Sequence, residues 1–191
     1  MNQVVLIRHG QTEWSLSGQH TGATDISLTD EGERQAEGLG ARLSPWRFEL
    51  VLTSPLARAV DTCRLAGAFG AAEVTADLRE WEYGDYEGRR TADIRDERSG
   101  WDLWAHGAPN GETVEEVGRR ADRVIARARA AAGDVALFAH GHLLRVLAAR
   151  WVGLPPADGR LLALSTASMS VLGWERETAV IERWNDAADE K

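Results

Sequence analysis

Two short apolar runs in this chain end in the same pair of residues, and that pairing limits what the chain can fold into. Val4-Val5-Leu6-Ile7 leads into Arg8-His9-Gly10, and Val135-Ala136-Leu137-Phe138-Ala139 leads into His140-Gly141-His142. Continuous β-branched and apolar runs of this length read as strands buried on both faces, as in parallel sheets. In an open parallel sheet the strand C-termini share one edge, and ligands bind there. Two His-Gly pairs far apart in sequence are thereby brought to one place. A lone His-Gly carries little information. Two of them at apolar strand ends, one preceded by Arg, point to a site.

Helix signals alternate with these strands. Thr29 reads as the cap of a helix running to about Leu43, with Pro45 after it. Leu50–Thr53 reads as another strand. Ser54-Pro55 reads as a helix start, Ser as N-cap and Pro at the first helical position, with the helix continuing to about Phe69 before Gly70. Thr113 with Glu116 three residues on forms a capping box. The helix behind it puts Val114, Val117, Ala121, Val124, Ile125 and Ala128 on one face. His142–Trp151 is helical in pattern and ends at Gly153. Ser168–Trp174 and Ala179–Trp184 read as a hairpin around Glu175–Thr178. The expectation is one α/β domain over residues 1–191: three layers, α/β/α, with a mostly parallel central sheet and a C-terminal antiparallel hairpin. Residues 80–111, rich in Gly and holding Trp81, Trp101 and Trp104, read as irregular. A stretch that long with little pattern is usually functional.

Composition narrows the function classes. The formal net charge is −8, which opposes nucleic-acid binding, since that wants a basic stripe. It leaves room for a small anionic ligand at a local cluster of arginines. Lys191 is the only lysine, so the arginines that matter must be picked by position rather than by count. Cys63 is the only cysteine, so neither an internal disulfide nor a cysteine metal site can form. No apolar run approaches the ~18 residues of a membrane span. The Val4–Ile7 run is too short for a signal peptide and no small-residue cleavage site follows it, so a cytoplasmic protein is the default expectation.

Several residues then fit one chemistry. Arg58 falls in the first turn of the helix after Leu50–Thr53, at the same sheet edge as His9 and His140. Free N–H groups and the positive end of a helix dipole favour an anion there. An Arg in that position is unfavourable with the dipole unless an anion rewards it. Arg8, Arg58, His9 and His140 together describe a phosphate pocket. Phosphoryl transfer also needs a proton source for the leaving oxygen. Glu80, Glu82, Asp85 and Glu87, flanked by Trp81, Tyr83 and Tyr86, are the candidates, and pattern alone does not choose among them. A metal ligand set drawn from His9, His20, His106, His140 and His142 does not explain Arg8 beside His9, because a cation beside a bound metal is repulsive. No metal and no cofactor are expected. Glycine-rich nucleotide loops and Gly-x-Ser-x-Gly elbows are absent.

Leu6-Ile7-Arg8-His9-Gly10-Gln11-Thr12-Glu13-Trp14 resembles the Arg-His-Gly motif of the histidine phosphatase superfamily, the phosphoglycerate-mutase-like clan. Leu28–Gly32, Thr53–Ala59, Gly111-Glu112-Thr113 and Ala139–His142 resemble further elements of that family, in the same order and spacing. Trp81–Gly88, Trp101-x-x-Trp104, Gly18–Gly22 and His140–Arg145 are similar to its small phosphatase, sedoheptulose-bisphosphatase-like branch. The resemblance implies His9 as nucleophile, carrying a phosphohistidine. It implies Arg8, Arg58 and His140 as holders of the phosphoryl oxygens, and Glu80 as the proton donor and acceptor, with Glu82 in reserve. It implies Gln11, Ser15, Thr21, Gly22, Glu82, Tyr83, Gly141 and His142 as substrate-binding positions, and Arg145 as the contact to a second anionic group. The partner it implies is a small phosphorylated metabolite such as a sugar phosphate or bisphosphate. Mutases of the clan usually have Asn where Ser15 and His142 stand, and are longer. The expectation is therefore a phosphatase, ahead of a cofactor-dependent phosphoglycerate mutase or a non-catalytic phosphoryl-binding protein. Trp81 or Trp104 is expected to shape the leaving-group pocket, Trp151 and Trp174 to lie in the core, and Trp46 and Trp184 have no assigned place.

Overall fold

A computed structural model describes residues 2–68, 70 and 72–187. Val4–Arg8 (β1), Phe48–Thr53 (β2), Ala72–Val74 (β3), Asp134–Ala139 (β4), Met169–Glu175 (β5) and Thr178–Asp186 (β6) form a six-stranded sheet in the order β3-β2-β4-β1-β5-β6. β3, β2, β4 and β1 are mutually parallel, and β5 joins β1 antiparallel and pairs with β6 as the hairpin. The helices are Glu13–Ser17 (α1), Asp30–Leu43 (α2), Ala57–Leu65 (α3), Thr91–Glu97 (α4), Leu103–His106 (α5), Val114–Ala130 (α6) and Gly141–Trp151 (α7).

The period-2 alternation of the strands splits the core in two. Val4, Leu6, Val135 and Leu137 face one way and pack with the apolar stripe of α6 and with Leu143, Leu144 and Leu147 of α7. Val5, Ile7, Ala136 and Phe138 face the other way and pack with Leu39 and Leu43 of α2 and Cys63 of α3. Both faces of the central strands are thus covered, which is why these strands read as continuous apolar runs. Trp151 is fully buried and Trp174 partly so. Trp46 stacks on Phe48 with ring centroids 5.8 Å apart, and the Trp184 indole N–H donates to the Ala163 carbonyl at 2.6 Å.

Three expectations need correction. The third helix starts at Ala57, with Leu56 at the cap position and no side-chain cap of its own. Asp25 does the capping from another segment, accepting from the Ala57 N–H at 2.8 Å. Ser54 is freed for the site, as described below. That helix ends at Leu65; Phe69 lies outside the described residues. Residues 80–111 are not wholly irregular, since they hold α4, α5 and a single 3-10 turn at Gly84–Tyr86. These pieces are too short for a 3.6-residue period to show. The same brevity hid α1, whose capping box uses Ser15 in place of Glu or Gln, and the three-residue β3.

Candidate active site

Register places the two His-Gly pairs together. Arg8 lies opposite Ala139 in the β1–β4 ladder, and the His9 N–H donates to the Ala139 carbonyl at 3.0 Å. The His9 and His140 rings follow directly, with centroids 5.2 Å apart. Gly10 and Gly32 let the loop after β1 sit on the start of α2: a Cβ on Gly10 would meet the Gly32 carbonyl oxygen at 2.3 Å, and one on Gly32 the Gln11 oxygen at 2.1 Å.

Hydrogen bonds fix the tautomers of both rings. His9 Nδ1 lies 2.7 Å from the Gly10 carbonyl oxygen, which can only accept. Nδ1 therefore carries the hydrogen, and in the neutral ring Nε2 keeps the lone pair. His140 is the opposite case. Its Nδ1 accepts from Arg58 Nε at 3.2 Å, so its Nε2–H donates to Ser54 Oγ at 2.7 Å. The His142 ring meets the Tyr83 hydroxyl at 2.7 Å through Nδ1.

Glu80 is buried against the start of α7. Its carboxylate accepts from the N–H groups of His142 at 3.0 Å, Leu143 at 2.9 Å and Trp81 at 2.9 Å. Negative charge suits a helix N-terminus, where the first N–H groups lack intrahelical partners. Glu80 is thus the carboxylate that reaches the two strand ends. Glu82 is exposed, on the other side of Trp81.

A cavity of about 260 Å³ opens at this edge, lined by Arg8, His9, Ser15, Thr21, Glu80, Tyr83, Gly141, His142 and Arg145 among the expected residues. Trp14, Gly18, Gln19, His20, Thr91 and Leu164 line it too. Of these, Gly18, Gln19 and His20 sit in a segment already singled out by its likeness to the family. Trp14 stands in the Arg-His-Gly motif itself, and Thr91 and Leu164 gave no signal. Neither Trp81 nor Trp104 lines the cavity. Trp104 instead carries the Arg145 guanidinium, 4.7 Å above its ring, and sits 5.4 Å from His142.

Several expected substrate contacts are placed elsewhere. Gln11 faces α2, its side-chain oxygen accepting from Thr29 Oγ1 at 3.0 Å. Gly22 is wedged against Glu87, whose carboxylate accepts from the Gly22 N–H at 2.9 Å and the Thr24 N–H at 3.1 Å. Glu82 lines instead a space of about 20 Å³ with Gly22, Glu80 and Glu112. Arg58 and His140 do not line the cavity beside His9 either. Arg58 is fully buried and spends its donors on the Thr21, Gly22 and Thr24 carbonyls and on His140.

The charges around the cavity are unbalanced. Among the described residues none of Arg8, Arg58 and Arg145 forms an ion pair with a carboxylate. Burial pulls the pKa of each below the ordinary guanidinium value. Arg8 Nε is buried with no acceptor among the described residues, while another of its nitrogens bonds the Leu164 carbonyl. A cation without a counter-charge in such a place is costly, and a bound anion removes the cost.

The histidines respond to the same field. Burial holds His9, His140 and His142 well below the usual imidazole pKa. Arg8 and Arg58 add to this for His9, Arg58 and His9 for His140, and Arg145 and His20 for His142. Each would titrate near 6.5 in the unfolded chain. Below that pH the unfolded chain binds more protons than the folded one, so folding stability falls as pH falls. Each histidine removes up to about 1.4 kcal/mol per pH unit between its unfolded and folded pKa values. Thermal melts in phosphate-free buffer are expected to show Tm dropping steadily from about pH 7.5 to about pH 5.5. A flat Tm over that range would mean that the rings are protonated in place.

The arrangement matches known proteins over nearly its whole length. The histidine phosphatase superfamily (branch 1) model matches residues 4–187. The chain is 43% identical over 187 residues to an acid phosphatase of Mycobacterium tuberculosis, covering 94% of this chain and 92% of that protein. It is 41% identical over 182 residues to sedoheptulose 1,7-bisphosphatase of Saccharomyces cerevisiae, covering 78% of this chain and 67% of that one. A solved structure of the open reading frame Rv3214 from Mycobacterium tuberculosis superposes with a TM-score of 0.92 at 40% identity, covering 97% of this chain and 98% of that one. With a family match across the sheet, both His-Gly strand ends and the segment that carries Glu80, this chain belongs to the histidine phosphatase superfamily, branch 1, and is an enzyme of the phosphatase class.

Proposed function

We propose that the protein hydrolyses phosphomonoesters of small polar metabolites, sugar phosphates or bisphosphates among them, through a phosphohistidine on His9. The observation that carries this reading is the His9 ring itself, neutral, with Nδ1–H held by the Gly10 carbonyl and the Nε2 lone pair left beside the unpaired Arg8. In the first step His9 Nε2 bonds to phosphorus as the bond from phosphorus to the leaving oxygen breaks, and Glu80 gives that oxygen its proton. In the second, Glu80 takes a proton from water as the water oxygen displaces His9 and frees phosphate. Arg8 stabilises the equatorial oxygens, where charge is spread in the transition state, while Arg58 acts from behind the site by holding His140 and the 21–24 backbone. The nucleophile is a side chain, so no metal-activated water is needed. The substrate class is supported by the polar lining of the leaving-group side (Ser15, Gln19, His20, Thr21, Thr91) and by the sugar bisphosphatase among the relatives.

The test is phosphate release from a panel of esters by the purified protein in EDTA. The panel holds sedoheptulose and fructose bisphosphates, phosphoglycerates and an aryl phosphate. Release is expected to survive EDTA and to be blocked by vanadate, which mimics the five-coordinate transition state and so binds more tightly than substrate. Loss of activity in EDTA with recovery on adding a divalent metal would overturn the phosphohistidine mechanism. Interconversion of phosphoglycerates on priming with the 2,3-bisphosphate, without phosphate release, would make the protein a mutase.

A further inference from the structure

The Gly111-Glu112-Thr113 element contributes no side chain to the cavity beside His9, yet Gly111 and Glu112 meet the segment carrying Glu80. Gly111 allows the crossing: a Cβ there would meet the Glu82 carbonyl oxygen at 2.3 Å. Glu112 then zips to the segment, its N–H donating to the Glu82 carbonyl at 2.9 Å and its carbonyl accepting from the Trp81 indole at 2.8 Å. Thr113 caps α6, with its hydroxyl accepting from the Glu116 N–H at 3.2 Å. Two turns along α6, Arg120 points back at the same segment.

The Arg120 guanidinium has no donor to spare. Nε and one terminal nitrogen fork onto the Glu112 carboxylate at 2.7 Å each. The other terminal nitrogen donates to the carbonyls of Asp77 at 2.9 Å and Arg79 at 3.0 Å. The fifth N–H reaches the Glu80 carbonyl at 3.3 Å. The Glu112 carboxylate also accepts from the Glu82 N–H at 3.0 Å. The pair is largely shielded, with side-chain exposures of 11% for Arg120 and 19% for Glu112. The backbone at Asp77, Arg79, Glu80 and Glu82 is therefore tied to one fork–fork pair, with Glu80 among the tied residues.

We infer that Arg120 and Glu112 are positioning residues for proton transfer: their clamp fixes the backbone of Glu80, so that its carboxylate meets the leaving oxygen in register. The inference rests on the reading of Glu80 as the proton donor. It follows from the demands of the chemistry, since a misplacement of about 1 Å in a catalytic group can cost on the order of 100-fold. Lysine has three donors and no planar fork, so it cannot reproduce five bonds to five acceptors.

The experiment compares turnover of an alkyl phosphate, which needs protonation of its leaving oxygen, with that of 4-nitrophenyl phosphate, which needs little. Arg120→Lys and Glu112→Gln are expected to lower the alkyl-to-aryl ratio of kcat/KM by about tenfold or more, a part of the ~100- to 10,000-fold that general acid catalysis supplies. Both rates come from the same molecules, so the ratio is unaffected if part of the sample is unfolded. Arg150→Ala, which breaks the surface pair with Asp122, serves as the control for a merely structural loss and should leave the ratio unchanged. Glu80→Gln, run in parallel, separates the two claims. A collapsed ratio in Glu80→Gln with an unchanged ratio in both clamp variants overturns the positioning role alone. An unchanged ratio in Glu80→Gln overturns Glu80 as the acid, and the clamp inference with it.

Discussion

His9→Ala is expected to abolish phosphate release, lowering kcat on aryl and alkyl phosphates alike by on the order of 10,000-fold or more. Aryl phosphates are the stringent case, because their leaving groups depart without help and only a nucleophile is missing. Alanine removes the Nε2 lone pair and leaves the Gly10 carbonyl, which Nδ1–H had satisfied, without its partner. That cost to folding is on the order of 1–3 kcal/mol, and the loss of one desolvated imidazole offsets part of it. The variant should therefore fold, and it should still bind phosphate through Arg8 and the other cations of the pocket. Steady-state rates with a melting curve on the same sample separate the two effects. A folded His9→Ala protein that turns over substrate within about tenfold of wild type would sink the phosphohistidine mechanism.

Arg58→Met should instead show mainly as lost stability. Arg58 is fully buried and forms no ion pair with a carboxylate among the described residues, so by its charge alone it is a burden. It is retained in place by the Thr21, Gly22 and Thr24 carbonyls and by His140 Nδ1, all of which it satisfies at once. Methionine fills similar volume but takes the Arg58 donor from the Thr21 and Gly22 carbonyls and from His140 Nδ1, while the Thr24 carbonyl keeps the Ile26 N–H. Breaking such a buried network costs about 3–5 kcal/mol, or roughly 10 °C in Tm for a chain of this size. The 21–24 loop, held from its other side by Glu87, should loosen, and His140 should lose its fixed tautomer. Arg58→Lys should rescue little, since an ammonium group cannot span acceptors spread around a planar fork. A Tm within about 2 °C of wild type in Arg58→Met would show that these acceptors find other partners, and that Arg58 acts only as a charge.

How far the sequence carried these arguments varied by residue. The long helices were legible because fourteen and seventeen residues give a period room to repeat, and Thr29 and Thr113 mark their starts by chemistry that needs no tertiary context. The third helix misled because its cap is supplied by Asp25, thirty-two positions away. Local pattern assigned the role to Ser54, whose hydroxyl accepts from His140 and from the Leu56 N–H rather than from a first-turn N–H of the helix. Glu80 and Glu82 show the same divide at the site. Two acidic residues around one tryptophan are equivalent by pattern; the family resemblance favoured Glu80, and the seating of Glu80 on the first turn of α7 sets it apart physically. The family resemblance implied Gln11 and Gly22 as pocket residues, but one faces α2 and the other is locked under Glu87.

By itself the sequence determined the alternation of elements, the two-faced burial of β1 and β4, and the convergence of His9 and His140 at one sheet edge. Those follow from side-chain period and strand direction, which are local properties that add up along a chain. Tertiary structure alone decided which lone pair His9 keeps, which carboxylate reaches the cavity, that Arg58 is spent on a loop, and that Glu112 and Arg120 hold the segment bearing Glu80. Each of these depends on a hydrogen bond between residues brought together by packing, and a hydrogen bond is set by distance and direction, which no sequence pattern encodes.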